Sequence, residues 1–256
     1  MYKEENMAVC QAAKNKLKLL DKNPAGYFIA SLLAGAYVGF GIILIYSIGG
    51  LLEGAPYTKI LMGASFGVAL SLVIMAGSEL FTGNNFIMSM AMFNKEASLK
   101  DSIRLWSVCY FGNWAGSILC ALLYYYAGLA TGATGQFISD VSATKMGIPL
   151  VPLFMRAVLC NIMVCLAVWT SFKMRSESGK LIMIFWCLFV FITSGYEHSI
   201  ANMTLLSVSL LNPMNAGISL AGYLYNILVV TLGNMVGGIL LLSLPYYIIS
   251  KKDQAL

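Results

Sequence analysis

The sequence is poor in charged residues and in the side chains that most enzymes use. Charged residues make up 11% of the 256 residues, whereas soluble domains carry about 25%. The chain has a single histidine, His198, and its six cysteines form no Cys-x-x-Cys pair. These shortages argue against a soluble fold, a disulfide framework and a catalytic or metal-binding cluster. We therefore expect no enzymatic activity, no catalytic residue, no metal site and no cofactor, and we expect the cysteines to be small packing residues.

Apolar residues are abundant instead, and they occur in long runs. Hydrophobic residues make up 59% of the chain, and the main charge-free stretches are residues 23–52, 60–78, 105–139 and 199–250. A bilayer core of about 30 Å needs about 20 apolar residues as a helix. The pattern predicts an all-α integral membrane protein with six transmembrane helices, at about residues 26–50, 60–92, 104–127, 154–171, 181–208 and 222–249.

The basic residues indicate how the chain is oriented. Residues 1–23 lack the apolar core and cleavage site of a removable signal, and they predict an amphipathic cytoplasmic helix that stops at Pro24. Residues 24–256 then form a single transmembrane domain. With both termini inside, 13 of the 16 basic residues lie on the cytoplasmic side, as the positive-inside rule requires. The net charge of +5 is therefore a topology signal, and no nucleic-acid partner is expected.

Two motifs each occur twice in the chain. GSELFTGN (77–84) and GYEHSIAN (195–202) share the pattern G-x-E-x-x-x-x-N, and GNWAGSIL (112–119) and GNMVGGIL (233–240) share G-N-x-x-G-x-I-L. The motifs keep the same order, with similar gaps of 28 and 31 residues between them. Chance does not explain this agreement.

The repeated motifs predict an inverted repeat. Each half, at about residues 24–128 and 150–250, holds three spans, and an odd number of spans turns the second copy over relative to the first. The second and fifth spans are too long for one simple crossing and contain the glutamates. We therefore predict a 3+3 inverted repeat in which transmembrane helices 2 and 5 are interrupted at the first motif.

Polar residues at such breaks are expected to be structural. Backbone groups freed within a membrane must be satisfied by protein or cavity water, so Glu79 and Glu197 are expected to accept hydrogen bonds from backbone N–H groups. Asn113 and Asn234 need polar partners, most simply the broken segments, and the nearby glycines favour close helix packing. The full structural set is Glu79, Asn84, Asn113, Glu197, Asn202 and Asn234.

These motifs, together with RAVLCNIMVCLAVW (156–169), resemble the formate/nitrite transporter family, and the likeness runs from about Pro24 onward. Within the family the sequence is most similar to the bacterial hydrosulfide channels. The resemblance implies an aquaporin-like protomer in the bacterial inner membrane, a homopentamer with one pore per protomer, and passage of small monovalent weak-acid anions. Hydrosulfide, formate and nitrite all fit this description, and the sequence leaves the choice among them open.

The resemblance also identifies a substrate pathway. It pairs His198 with Thr82 at the centre of the membrane, and it assigns Lys145 to the outer vestibule. The remaining pathway residues are Asn161 as a polar contact and, in apolar constrictions, Phe66, Leu70, Leu80, Phe81, Val164 and Phe191.

His198 has its own rationale, because ionisable residues in membrane spans are functional candidates. Its unperturbed pKa of about 6.5 permits proton exchange near neutral pH, which would turn a weak-acid anion into a neutral molecule. A buried histidine bonded only to backbone is the structural alternative. The sequence leaves open its protonation state, passive or proton-coupled transport, and gating by the N-terminal helix.

Other functions compete with anion transport. A neutral-solute channel of aquaporin type uses broken helices as well, but the paired Asn-Pro-Ala signatures are missing and Asn212-Pro213 is followed by Met214. A membrane-embedded enzyme would need more titratable groups than the spans contain. A scaffold protein would not need two polar breaks in its spans.

Overall fold

The computed structural model describes residues 2–214 and 217–252, and its regular secondary structure there is helical throughout. Residues 215–216 and 253–256, which belong to the predicted transmembrane domain, lie outside the described residues, as does the side chain of Lys252. The described helices are α1 Lys3–Lys22, α2 Pro24–Leu51, α3 Thr58–Ser65, α4 Gly67–Met75, α5 Phe81–Phe93, α6 Leu99–Tyr126, α7 Gly132–Met146, α8 Leu150–Lys173, α9 Glu177–Thr193, α10 Ser199–Leu211, α11 Leu220–Val236 and α12 Leu244–Lys252; a π-helical stretch, Gly237–Ser243, joins the last two.

The lengths of the apolar helices fit a multi-pass membrane protein. In residues 2–214 and 217–252, five helices are long and apolar enough to cross a bilayer: Pro24–Leu51, Thr58–Met75, Leu99–Tyr126, Leu150–Lys173 and Leu220–Lys251. The region of the predicted fifth span is divided between α9, with 17 residues, and α10, with 13. The predicted all-α fold is therefore confirmed, and its long apolar helices are candidate membrane spans.

The N-terminal helix begins and ends close to its predicted limits. α1 stops at Lys22, and α2 starts directly afterwards, with Pro24 in its first turn and the Asn23 side chain accepting a hydrogen bond from the Gly26 N–H. α1 buries Val9 and other apolar residues of one face against α2, α5 and α8. It therefore packs on the other helices of the protein.

Glycines bring α6 close to α2 and α11 close to α8, as predicted. A Cβ on Gly112 would meet the Phe28 carbonyl oxygen at 3.1 Å, and one on Gly233 would meet the Phe154 carbonyl oxygen at 2.7 Å. Phe28 and Phe154 occupy corresponding positions at the starts of α2 and α8. The two halves of the chain therefore share one type of close helix contact.

One helix was not predicted from the sequence. α7, with 15 residues, lies between the third and fourth predicted spans and carries Lys145 in its last turn. It precedes α8 in the chain as α1 precedes α2, so each half is preceded by an additional helix. All six cysteines are buried and unpaired, which agrees with their predicted packing role.

Candidate functional site

Two segments interrupt the helices at the repeated glutamate motif. α4 ends at Met75 and α5 begins at Phe81, while α9 ends at Thr193 and α10 begins at Ser199. Gly77, with φ +76°, and Gly195, with φ +74°, turn the chain at the two breaks. Only glycine adopts this left-handed conformation without a steric penalty. The left-handed turn at each break therefore explains why the motif begins with glycine.

Asn113 on α6 satisfies the backbone at the first break. Its Oδ1 accepts a hydrogen bond from the Phe81 N–H at 2.8 Å, and its Nδ2 donates to the carbonyl oxygens of Ser31, at 2.7 Å, and Glu79, at 2.8 Å. One buried side chain thus serves three backbone groups.

Asn234 on α11 does the same at the second break. Its Oδ1 accepts from the Ser199 N–H at 2.9 Å, and its Nδ2 donates to the carbonyl oxygens of Ala157, at 2.8 Å, and Glu197, at 2.9 Å. Asn113 and Asn234 therefore both bond to the broken segments, as predicted.

The Glu79 carboxylate has side-chain partners. Lys16 on α1 lies 2.7 Å from both of its oxygens, Asn84 Nδ2 donates to Oε2 at 2.9 Å, and the Tyr27 hydroxyl donates to the same oxygen at 3.2 Å. Glu79 and Lys16 are largely buried, so this ion pair is shielded from solvent.

Glu197 has a matching arrangement. Lys145 Nζ lies 2.7 Å from Oε1, and Asn202 Nδ2 donates to Oε2 at 2.7 Å. The prediction that Glu79 and Glu197 accept hydrogen bonds from backbone N–H groups was therefore wrong. The two asparagines on α6 and α11 already bond the helix starts, which leaves the carboxylates to the lysines of the preceding helices.

The ion pair keeps Lys145 charged. Burial lowers the pKa of the Lys145 ammonium, but the Glu197 carboxylate and the hydrogen bond to it raise the pKa by more, so that it lies above its ordinary value of 10.5. The amine is therefore protonated at neutral pH, and a positive charge stays fixed next to the second break.

His198 is held by both of its ring nitrogens. It is the residue before α10, and its Nδ1 accepts a hydrogen bond from the Ala201 N–H at 3.1 Å. Because Nδ1 is an acceptor, the proton of a neutral ring lies on Nε2. Nε2 is 2.9 Å from the Thr82 hydroxyl oxygen, to which it donates. The histidine and threonine of the two breaks thus meet, with both side chains buried.

A small apolar space lies beside this pair. This central cavity has a volume of about 10 Å³, which corresponds to about one water probe. His198 is the only titratable side chain among its described lining residues. The described lining residues are Val38, Phe66, Ala69, Leu70, Leu80, Val164, Leu188, Phe191 and His198.

Two larger cavities flank the central cavity. One, the Lys16 vestibule, has a volume of about 340 Å³, contains Lys16 and Glu79, and shares Leu70 and Leu80 with the central cavity. The other, the Lys145 vestibule, also measures about 340 Å³ and contains Lys145, Glu197, Lys59 and Arg156. Each vestibule therefore ends at the ion pair of one break.

The predicted pathway residues fall into two groups. Five apolar ones and His198 line the central cavity, and Lys145 lines its vestibule. Phe81 instead stacks edge to face on Tyr110, at 5.0 Å between ring centroids, and Asn161 donates to the Asn234 carbonyl oxygen at 2.6 Å. These two lie beside the cavity and support it. Lys16, which no sequence motif marks, joins the site through α1.

The fold and the site define a class of protein. Apolar helices that cross a membrane, with two polar breaks meeting at a buried histidine between two cavities, are typical of a membrane transport protein. The sequence model of the Formate/nitrite transporter family matches residues 3–248, and the chain belongs to this family. The family resemblance seen in the sequence is confirmed, and the protein is a multi-pass membrane transporter rather than an enzyme.

Relatives and solved structures agree with this assignment. The nitrite transporter NirC of Escherichia coli (strain K12) is 40% identical over 239 residues, which cover 92% of this chain and 87% of the relative. A structure described as an FNT family ion channel superimposes with a TM-score of 0.91 at 38% identity, covering 96% of this chain and 98% of that one. A pentameric formate channel with formate bound gives a TM-score of 0.78 at 28% identity, covering 89% and 98%.

Proposed function

We propose that this protein is a membrane channel for small monovalent anions of weak acids, with His198 and Thr82 at the centre of the pore. The observation that carries the proposal is the 2.9 Å contact between these side chains, beside an apolar cavity and between two lysine-containing vestibules. An anion needs positive charge at the pore mouth and a way to cross the apolar centre, and this arrangement supplies both.

The vestibules attract and concentrate the anion. Lys145, Lys59 and Arg156 lie around one vestibule and Lys16 at the other, and positive charge in a low-dielectric cleft raises the local anion concentration. Of the pathway residues, Lys145 is the one that carries this role at the predicted outer mouth.

The central cavity favours a neutral solute. Its walls include Phe66 and Phe191, whose rings meet edge to face at 5.3 Å, and an unpaired charge there would lose its hydration without compensation. A weak-acid anion that takes up a proton from water in one vestibule crosses as the neutral acid and releases the proton to water in the other vestibule. His198 donates a hydrogen bond from Nε2 to the solute, and Thr82 holds its ring in place.

The membrane architecture belongs to the proposal as well. We assign six transmembrane helices in a 3+3 inverted repeat, with helix 2 formed by α3, α4 and α5 and helix 5 formed by α9 and α10. The matched contacts of the two asparagines and two ion pairs support this repeat. Residues 24–256 then form one channel domain, preceded by the cytoplasmic helix of residues 1–23.

We further propose a homopentamer in a bacterial inner membrane, with both termini in the cytoplasm. The excess of basic residues on one side supports the orientation, and the pentameric formate channel supports the assembly. Large apolar side chains on the outside of the protomer suit contacts with lipid or with neighbouring copies. Examples are Leu51, Leu123 and Leu228.

The names of the relatives support nitrite and formate as substrates, and the sequence resemblance adds hydrosulfide as a prediction. Flux into proteoliposomes, measured for these three anions and for water and glycerol, tests the proposal. We expect flux of at least one of the anions that rises as pH falls towards the pKa of its acid, together with negligible glycerol flux. Glycerol or water flux without anion flux would favour the neutral-solute alternative.

A further inference from the structure

Two buried asparagines near the pore have hydrogen-bonding atoms without partners. Asn85 on α5 and Asn161 on α8 have no solvent-exposed surface. Within residues 2–214 and 217–252, both amide atoms of Asn85 and the Oδ1 of Asn161 lack a hydrogen-bond partner. An unsatisfied buried polar atom destabilises a fold by about 1–3 kcal/mol. A cluster of three such atoms therefore calls for a ligand.

The two amides flank the π-helical stretch that follows α11. A Cβ on Gly238 would meet Asn161 Nδ2 at 2.7 Å and Asn85 Cβ at 3.3 Å. Both asparagines therefore pack directly against Gly238, and only glycine lets α5, α8 and the π-helical stretch come this close together. π-Helical segments within α-helices frequently mark functional sites.

The matched positions of the repeat lack the two asparagines. In the repeated motifs, Met203 corresponds to Asn85 and Ser117 to Gly238, and by the same helix contacts Gly35 corresponds to Asn161. The close contact of Gly35 with the backbone of Asn113 leaves no room there for a second amide. The shared scaffold therefore does not require the two asparagines.

We propose that Asn85 and Asn161 bind a water between their unpartnered amide atoms, where the two side chains come together next to Gly238. Water has two donors and two acceptor lone pairs, which suit two carboxamide oxygens and one amide nitrogen. Buried waters in proteins bridge otherwise unsatisfied polar groups in this way. An ion would need a charged partner, and the side chains that approach this point are the two asparagines and Cys165.

The bound water positions the central pair through Asn161. Asn161 Nδ2 donates to the carbonyl oxygens of Asn234, at 2.6 Å, and Thr82, at 3.4 Å. A water that donates to Asn161 Oδ1 fixes the amide so that Nδ2 faces these carbonyls. Asn85 is thus a positioning residue that acts on Thr82 through Asn161. The water site stands without the transport function, whereas its effect on flux rests on the proposed function.

A high-resolution crystallographic or cryo-EM map of the native protein tests the site directly. We expect a solvent peak about 2.7–3.2 Å from the amides of both Asn85 and Asn161. Direct bonding of the two amides to each other or to backbone, with no peak between them, would overturn the proposal. This outcome is independent of whether the protein carries nitrite.

Two variants test the positioning role. Asn85→Met introduces the residue found at the matched position, and it should remove the peak and lower nitrite flux roughly fivefold to tenfold, the equivalent of about one hydrogen bond. Met88→Leu changes a buried apolar residue of the same helix and should keep both peak and flux. Equal flux in Asn85→Met and the native protein would overturn the positioning role, and no nitrite flux in the native protein would instead count against the proposed function.

Discussion

The break at residues 77–80 and the break at residues 195–198 are built from the same parts. Each has a glycine with positive φ, a glutamate paired with a lysine at 2.7 Å, and an asparagine that bonds three backbone groups. They differ at the residue that precedes the second helix of each break. This residue is Leu80 in the first break and His198 in the second, and both line the central cavity.

This difference distinguishes the residues that stabilise the backbone from the one titratable residue, His198. His198 caps its helix through Nδ1, whereas in the described residues Leu80 makes no side-chain cap. The backbone tolerates either side chain, because the nearby asparagine satisfies the helix start. The residue before the second helix can therefore differ between the two breaks. It is titratable only in the second break, where it is His198.

The largest effect is expected from the asparagines that both breaks share. Asn113→Leu or Asn234→Leu leaves three buried backbone groups unpaired, and since each loss destabilises by about 1–3 kcal/mol, we expect more than about 4 kcal/mol in each case. Thermal unfolding in detergent, followed by size-exclusion chromatography, measures this. Asn15→Ala on the exposed face of α1 is the control. A normal melting temperature for either leucine variant would show that the two breaks are not equivalent.

The second largest effect is expected from the two ion pairs. Breaking the pair at the second break should reduce stability more than breaking the pair at the first. Lys145→Met leaves Glu197, whose side chain is 3% exposed, as a buried unpaired charge, and we expect a loss of about 3 kcal/mol. Lys16→Met should cost about half as much, because Glu79 is 11% exposed and keeps Tyr27 and Asn84 as donors.

Melting temperatures at neutral pH measure both effects. Since the folded-state pKa of Lys145 is raised, its stabilisation is fully present at neutral pH and is lost only as pH rises through that raised value. Lys14→Met, which breaks an exposed pair with Glu96, is the control and should change little. A larger loss for Lys16→Met than for Lys145→Met would contradict the predicted order.

Several of these features were predictable because they carry a local sequence signal. The glutamates of the repeated motif stand out in apolar spans, and they located both breaks. The glycines of the second motif predicted the close helix contacts, and the need of Asn113 and Asn234 for partners led to the broken segments. Family resemblance was required for Thr82, because a threonine in a membrane helix has no signal of its own.

The remaining features depend on contacts between distant parts of the chain. Lys16 and Lys145 lie 63 and 52 residues from the glutamates that they pair with, and neither spacing suggests a contact. α7 is composed of small and polar residues without an apolar run, so hydropathy did not predict it. The sequence around each glutamate points only to the backbone of its own break, because the lysine that pairs with it lies on a distant helix.

We expect the two breaks to differ in function at His198. His198→Leu gives the second break the residue of the first, and it removes the titratable group of the central cavity. We expect anion flux into proteoliposomes to fall about 100-fold, because a polar solute in the apolar cavity loses its hydrogen-bond donor, which costs up to about 3 kcal/mol. Leu80→Met, at the matched position, should keep most of the flux. Similar flux in His198→Leu and the native protein, with an unchanged pH profile, would refute the central role of the histidine.

Thr82 gives the smallest expected effect and sharpens the comparison further. Its matched residue in the second break is Ile200, so the hydroxyl has no counterpart there. Thr82→Val keeps the shape but removes the acceptor for His198 Nε2, and we expect roughly tenfold lower flux from this one lost hydrogen bond.

Thr82→Ser keeps the hydroxyl and should stay within about threefold of the native flux, since the contact with the imidazole persists. Ile200→Val, at the matched position, controls for the loss of apolar volume near the cavity. The measurement is the initial rate of anion uptake at several pH values. If Thr82→Val and Thr82→Ser lower the flux equally, the shape of the side chain matters and its hydrogen bond to His198 does not.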